Sequence, residues 1–588
     1  MDTPREPYTG DRLAVETALY WTPPAGVRRG YVDGRYGQQH YRIAQPMATT
    51  GRVPLVIFHQ SPASGRVYEG LLAILGKGRL VIAPDTPGFG DSDPPPGPPA
   101  IADYAAAMGD FLDAMGLDQV DLFGDHTGAK IAGELAQQRP RQIRRLVYNA
   151  CPVYSDEEMR VMQGHLAEEK PQERGADGQH LLHQWGSMKK TYAPDVPLAQ
   201  FDRDLTETLR AGELGWYGHN AAFAYSHAEN LPKIEQPILV LCPDDGLWPS
   251  TQRAKQYLRN GRVLDKPEWK MGAVSFHTQA LADTLRDFLD APDTAGRSQA
   301  VPKPVPPRPV LAKSPIRRRF VDTPHGPMHV RVIEGGKQGS MPLFCFHMSP
   351  RSGQYYEALM MALGSTRTIV AVDTPGYGES FKPTERPDIG DFAEAMAGLI
   401  RAMGYDRVDA LGDHTGTKTA VEIAHRYPAL VRRLVMNTAG VYSPGEQKVW
   451  SVRMGEIPVS DDGDHVAALW RRYHELNRGK LTPPQMRFRF YETLRAGPCM
   501  WWGPRAANRY SYADILPTLE QPILLMCSTE DSLIEPTRRG SKILRNGRYI
   551  EFDRLGNSVL EFETAAVAPT IATFLDAPDA APFSGLEA

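Results

Sequence analysis

Val120–Lys130 reads VDLFGDHTGAK, and Val408–Lys418 reads VDALGDHTGTK. In both, an apolar strand-like run meets a glycine-framed Asp-His-Thr, and residues of helical spacing follow. The chain therefore changes from strand to helix at His126 and again at His414. Upstream, LVIFHQSPASG (Leu55–Gly65) returns as LFCFHMSPRSG (Leu343–Gly353), and VIAPDTPGFGDS (Val81–Ser92) returns as IVAVDTPGYGES (Ile369–Ser380). Each pair is 288 positions apart. Downstream the spacing becomes 285 (Trp185 with Trp470, Arg210 with Arg495) and then 286 (Phe288 with Phe574). Spacing this constant means one fold built twice, with small length changes confined to loops.

A chain of 588 residues exceeds what one hydrophobic core fills, which agrees with the duplication. The expected domains are 1–290 and 316–588. A proline-rich linker over 291–315 joins them as a semi-rigid spacer or a plain tether. Within each repeat, short strands alternate with longer helices, which predicts an α/β fold with a mostly parallel sheet flanked by helices. Helical inserts over about 152–232 and 440–517 break the alternation. The charges, 66 basic and 70 acidic, nearly balance, so neither nucleic acid nor an anionic membrane is an expected partner. No apolar run is long enough to span a bilayer, and MDTPREPYTGDR has no apolar signal core. Cys151, Cys242, Cys345, Cys499 and Cys527 are odd in number and scattered, which suits buried free thiols in a reducing cytoplasm.

The order strand–HxxP–strand–DxPGxGxS–helix–strand–GxxxG–helix, then insert, then strand and acidic loop, resembles the α/β-hydrolase superfamily. The likeness is to the lidded branch of epoxide hydrolases, haloalkane dehalogenases and esterases, and it covers nearly all of both repeats. It implies two tandem α/β-hydrolase domains, each with a helical lid. Such a fold hosts many chemistries, so function has to be read from the site.

The superfamily's elbow is G-x-nucleophile-x-G. Here the nucleophile position holds His126 and His414, flanked by Asp125 and Thr127 and by Asp413 and Thr415. The resemblance puts the relay histidine 17 residues before Phe288 and Phe574, where Met271 and Asn557 stand. It puts the acidic triad member at Asp245 and Asp531, and the oxyanion donors at the backbone N–H groups of Thr127 and Thr415 with those of Ser61 and Ser349. His277 has Glu563 as its counterpart and reads as a helix-start residue. Paired lid residues are His180 and Trp185 with His465 and Trp470, and Trp216 and Tyr217 with Trp501 and Trp502. They read either as a cap on an apolar pocket or as lid-to-body packing. The second lid has basic Arg487 and Arg489 where the first has acidic Asp202 and Asp204, which would give the two pockets different preferences.

An imidazole at the elbow reaches toward the vacant relay position, so His126 with Asp245, and His414 with Asp531, are expected to form general-base dyads. The expected activity is ester or lactone hydrolysis on a small hydrophobic carbonyl substrate, with no cofactor and no metal, since no HxxxH or CxxC spacing supports a metal among His126, Asp125 and Asp245. Cofactor-free proton abstraction of lyase, isomerase or oxygenase type is one alternative. An inactive pseudo-hydrolase scaffold, packed as an intramolecular pseudo-dimer, is the other.

Overall fold

The computed structural model describes residues 20–168, 174–292, 298–336, 340–453, 457–477, 480–511, 513–556 and 558–586. Two compact units result: residues 23–313 with 458–476, and the remaining described residues. Unit boundaries thus depart from contiguous halves, because part of the second repeat's lid belongs to the first repeat's unit.

The first unit holds β1 (Arg28–Asp33), β2 (Gln38–Ala44), β3 (Leu55–Phe58), β4 (Val81–Pro84), β5 (Val120–Asp125), β6 (Ile143–Asn149), β7 (Ile238–Pro243) and β8 (Gly261–Lys266). Their order is β1-β2-β4-β3-β5-β6-β7-β8, parallel from β4 onward, with β1 and β2 antiparallel. The second unit repeats this order with β9 (Ile316–Thr323), β10 (Gly326–Gly336), β11 (Leu343–Phe346), β12 (Arg367–Val372), β13 (Val408–Asp413), β14 (Val431–Asn437), β15 (Ile523–Ser528) and β16 (Gly547–Phe552). Alternate residues of the central strands feed opposite layers. Val56, Leu122, Leu146 and Val240 pack on one face, and Leu55, Ile57, Phe123, Val147 and Leu239 on the other. Burial on both faces is why these strands read as continuous apolar runs.

Helices that matter for the site are α1 (Thr127–Gln138), α2 (Gln179–Thr191), α3 (Leu198–Arg210), α4 (Gly215–Phe223) and α5 (Thr278–Leu289) in the first repeat. The second repeat has α6 (Thr415–Arg426), α7 (Asp464–Leu476), α8 (Pro483–Arg495) and α9 (Trp502–Arg509). Among the described residues, no helix is long and apolar enough to cross a membrane. All five cysteines are buried and free.

Hydrophobic pattern alone does not expose the β1–β2 hairpin, because β2 (QQHYRIA) buries polar side chains. They are needed for Asp85, which stands fully buried at the end of β4. His40 Nδ1 lies 2.9 Å from Asp85 Oδ2, Arg42 donates to Oδ1 at 3.0 Å, and the N–H groups of Gly65 and Asp91 donate at 2.8 and 3.0 Å. Burial alone would raise this carboxyl's pKa, but Arg42 and His40 hold it far below the usual range. Gly90, at φ 54°, passes so close that a Cβ would meet Asp85 Oδ2 at 2.0 Å. Asp373 repeats the node with His329 at 2.8 Å. This explains the DxPGxGxS motif as a loop wound around a buried carboxylate.

The linker is docked on the first unit. Lys303 N–H donates to the Gln137 carbonyl at 2.9 Å, and its Nζ pairs with Glu134 at 2.6 Å, both on α1. Arg308 donates to the Gly34 carbonyl at 2.6 Å, and Arg35 donates to the Pro306 carbonyl.

Candidate active site

Each repeat's central strand, β5 or β13, delivers the elbow. His126 adopts φ 48°, ψ −106°, and His414 φ 47°, ψ −107°. This backbone region is unfavourable for an L-residue, costing of order 1–3 kcal/mol. The framing glycines are obligatory: a Cβ on Gly128 would meet the Phe58 carbonyl oxygen at 2.1 Å, and one on Gly416 the Phe346 oxygen at 1.8 Å.

From the elbow, His126 Nε2 lies 2.9 Å from Asp245 Oδ2 and 3.8 Å from Asp125 Oδ1. In the second repeat, His414 Nε2 lies 3.1 Å from Asp531 Oδ2 and 4.0 Å from Asp413 Oδ1. The His126 ring stays 16% exposed while its carboxylate partners are buried. Nε2 faces both carboxylates, which leaves Nδ1 as the ring nitrogen not engaged by them. Burial works against a charged ring. Asp245 and then Asp125 outweigh it, raising the His126 pKa to about 9, and Asp531 and Asp413 raise His414 likewise to about 9. Burial would raise Asp245 and Asp531, but the imidazoles hold both below their ordinary values. Asp245 also accepts the Leu247 N–H at 3.0 Å, and Asp531 the Leu533 N–H at 2.7 Å, so the acidic loops are ordered around these carboxylates.

Sequence reading missed the groups that hold Asp125. Tyr68 Oη donates to it at 2.8 Å and Asn149 Nδ2 at 2.9 Å. Asn437 donates to Asp413 at 2.6 Å, while Tyr356, at the position equivalent to Tyr68, donates instead to the Phe346 carbonyl. Asn149 and Asn437 recur at the 288 spacing, a signal that was present. Buried Lys130 and Lys418, also 288 apart, were missed too. Lys130 donates to the carbonyls of Ala222 and Tyr225 at the end of α4, and Lys418 to those of Ala507 and Tyr510 at the end of α9. Burial lowers their pKa values to about 8 and about 7.

His59 and His347 have structural bonds. His59 Nδ1 lies 2.8 Å from the Gln60 carbonyl, while Nε2 accepts the Thr86 N–H at 2.9 Å, and His347 repeats both bonds. Ser61 and Ser349 lie against α4 and α9, where a Cβ on Gly218 or Gly503 would meet their hydroxyls at 2.0 and 2.3 Å. Thr127 and Thr415 open helices α1 and α6. At the relay position, Met271 N–H donates to the Thr191 carbonyl at 3.1 Å, in a bridge with Tyr192. Asn557 is outside the described residues. His277 stacks on Trp269, with ring centroids 5.9 Å apart, immediately before α5.

Lid aromatics separate into two groups. Trp216 and Tyr217 meet edge-on at 4.7 Å, half-buried, at the start of α4. Trp501 is half-buried at the start of α9, and Trp502 is buried there. The other four rings pack α2 against α7 within the first unit. Trp185 meets His465 at 5.0 Å, and Trp470 meets His180 at 5.1 Å. Trp185 Nε1 donates to the Asp461 carbonyl and Trp470 Nε1 to the Gly175 carbonyl, both at 2.9 Å. The contacts are reciprocal, as in an interface between equivalent surfaces. Replacing either tryptophan with phenylalanine keeps the ring and removes one buried hydrogen bond, an expected loss of about 1 kcal/mol. Hydrogen exchange over 174–191 and 457–477 reads it; unchanged protection in both variants would contradict the assignment.

The lid charges are compensated rather than presented to a pocket. Asp204 pairs with Arg203 at 2.6 Å, Asp202 with His465 at 2.9 Å, and Arg489 with Glu561 at 2.7 Å. Among the described residues, His40, Asp85 and Asp91 form the one group close enough to suggest a metal. Arg42, the Gly65 and Asp91 N–H groups, and Arg210 on Asp91 already occupy its carboxylates, which fits an ionic network instead.

The family profile described as alpha/beta hydrolase fold matches residues 53–195 and 342–551. The chain belongs to the α/β hydrolase fold family. Its curated relatives include 2-(acetamidomethylene)succinate hydrolase of Mesorhizobium japonicum, 36% identical over 100 residues, or 17% of this chain and 36% of that one. The chain thus spans about a third of that relative. Poly(3-hydroxyalkanoate) depolymerase of Ectopseudomonas oleovorans is 26% identical over 252 residues, covering 42% of this chain and 87% of the relative. Among solved structures, a thermophilic esterase from Thermogutta terrifontis matches with TM-score 0.37 and 17% identity, over 44% of this chain and 98% of that one.

Proposed function

We propose that each elbow is a hydrolytic site for a small ester or lactone, with His126–Asp245 and His414–Asp531 as general-base dyads. The observation that carries this reading is the Nε2-to-carboxylate distance, 2.9 Å in one repeat and 3.1 Å in the other. Nδ1 takes a proton from water as the water oxygen attacks the carbonyl carbon. The carboxylate holds Nε2–H and stabilises the imidazolium. The oxyanion is received by the N–H groups of Thr127 and Ser61, or of Thr415 and Ser349. Collapse expels the alkoxide, which takes its proton back from Nδ1. No acyl-enzyme is required. Trp216 and Tyr217 at the first elbow, and separately Trp501 and Trp502 at the second, supply an apolar wall for each substrate. The relatives that act as a hydrolase and a depolymerase support this class of chemistry.

The test replaces His126 and His414 together with alanine in the full chain and assays activated esters and lactones. Turnover should fall about 10²–10⁴-fold. Because the ring must be neutral to act, the wild-type rate should climb with pH and level off above about 9. Undiminished turnover in the double variant would sink the reading. Proton abstraction beside a carbonyl uses the same atoms, and the ring's raised proton affinity favours it as a second reading. Oxygen-18-labelled water separates the two, since hydrolysis alone must place the label in product.

A further inference from the structure

We infer that Asp125 and Asp413 are positioning residues, second carboxylates that share each elbow imidazole's Nε2–H side with Asp245 and Asp531. The assignment rests on the reading of these elbows as acid–base sites. Asp125 Oδ1 is 3.8 Å from His126 Nε2, and Asp413 Oδ1 is 4.0 Å from His414 Nε2. Neither aspartate is a solvent-facing turn residue; both are buried, at 2% and 0% exposure.

A buried carboxylate needs donors to stay ionised. Burial raises the pKa of both carboxyls; working against it, Asp125 has the Tyr68 hydroxyl and the Asn149 amide, and Asp413 has the Asn437 amide. In both repeats a donor comes from the neighbouring strand (β6 or β14); in the first repeat Tyr68, in the turn after the HxxP loop, adds a second, whereas its counterpart Tyr356 donates to the Phe346 carbonyl. Strand register sets the shared donor, since Asp125 is paired with Asn149 and Asp413 with Asn437. Other ionisable groups facing the first elbow are Asp245, and Asp204 and Tyr192 beyond Tyr68. Those facing the second include Asp531 and Arg489, with Tyr355, Tyr356, Tyr442 and Lys480 against its carboxylates and Glu561 beyond Tyr355. A glycine-framed elbow needs no acidic side chain at this point for its turn. The carboxylate's place beside the imidazole, twice, assigns it to the ring.

At 3.8 and 4.0 Å the second carboxylate acts on Nε2 through its charge rather than through a hydrogen bond. The two carboxylates together make the ring hard to deprotonate. Asp125→Asn keeps the shape and removes the charge; it also replaces one of the two accepting oxygens with an NH2, so Tyr68 or Asn149 must turn to accept.

The experiment titrates carbon-13-labelled histidine in the full chain by NMR, with His126→Ala and His414→Ala identifying the two signals. Asp125→Asn should lower the His126 midpoint by about 1 pH unit and leave His414 in place; Asp413→Asn should do the converse. The pH–rate midpoint should move with the ring. Tyr68→Phe, a milder change, should shift His126 the same way by less, and it decides the matter if Asp125→Asn fails to fold. An unmoved midpoint in the folded variant overturns the inference. A shifted midpoint in a chain with no esterase activity supports it while removing the hydrolytic reading.

Discussion

Asp85→Ala should destabilise the first unit by about 3–5 kcal/mol, the range for removing one partner of a buried ion pair. The size follows from what is left behind. Asp85 is fully buried and takes four donors: His40, the Arg42 guanidinium, and the N–H groups of Gly65 and Asp91. Alanine strips all four at once, and no water channel is needed to see the cost, because Arg42 is itself only 1% exposed. Glu69 still holds Arg42 Nε at 2.8 Å, which keeps the loss below that of an isolated charge. The loop from Thr86 to Ser92 should loosen with it. Denaturant unfolding, read by hydrogen exchange over β2 and β4, measures the change. A loss under about 1 kcal/mol would show that the donors find other partners. Asp373→Ala should act alike on the second unit.

Asp245→Asn with Asp531→Asn should reduce turnover by about 10²–10⁴-fold and pull the pH midpoint down from about 9. An amide can neither stabilise the imidazolium nor dictate which ring nitrogen carries the proton. The sign follows from the ring's environment. These carboxylates raise the histidine pKa above the unfolded value of about 6.5. Their stabilisation is therefore fully present below about 6.5 and lost as pH rises through about 9. Without them, burial dominates and the ring favours its neutral form. The amide variants should thus lose stability chiefly below pH 9, and unfolding curves at pH 6 and pH 10 separate the cases. Full turnover in the double variant would mean that the dyad is not the reacting group.

The sheet was legible because its central strands are buried on both faces and so appear as apolar runs. β1 and β2 were not legible, since His40 and Arg42 are buried through ion pairs rather than hydrophobicity. The elbow pairing could be anticipated from the missing relay histidine and the surviving acidic loop. Tyr68 and Asn149 could not be tied to Asp125 that way, because their convergence depends on strand register and a distant turn. The contrast of Asp204 with Arg489 suggested pockets of opposite preference. A sequence shows a charge without its partner, and here Arg203 and Glu561 neutralise them.

Helix α7 carries a consequence for how this chain can be divided. It is encoded with the second repeat and folds with the first, where Trp470 and Trp185 are both buried. The seam of the ancestral gene doubling is therefore not a seam of folding. A fragment ending at the linker would keep His126 and Asp245 and still expose the Trp185 indole to water. Any attempt to shorten the protein at the linker removes from the first unit a helix that its buried tryptophan packs against.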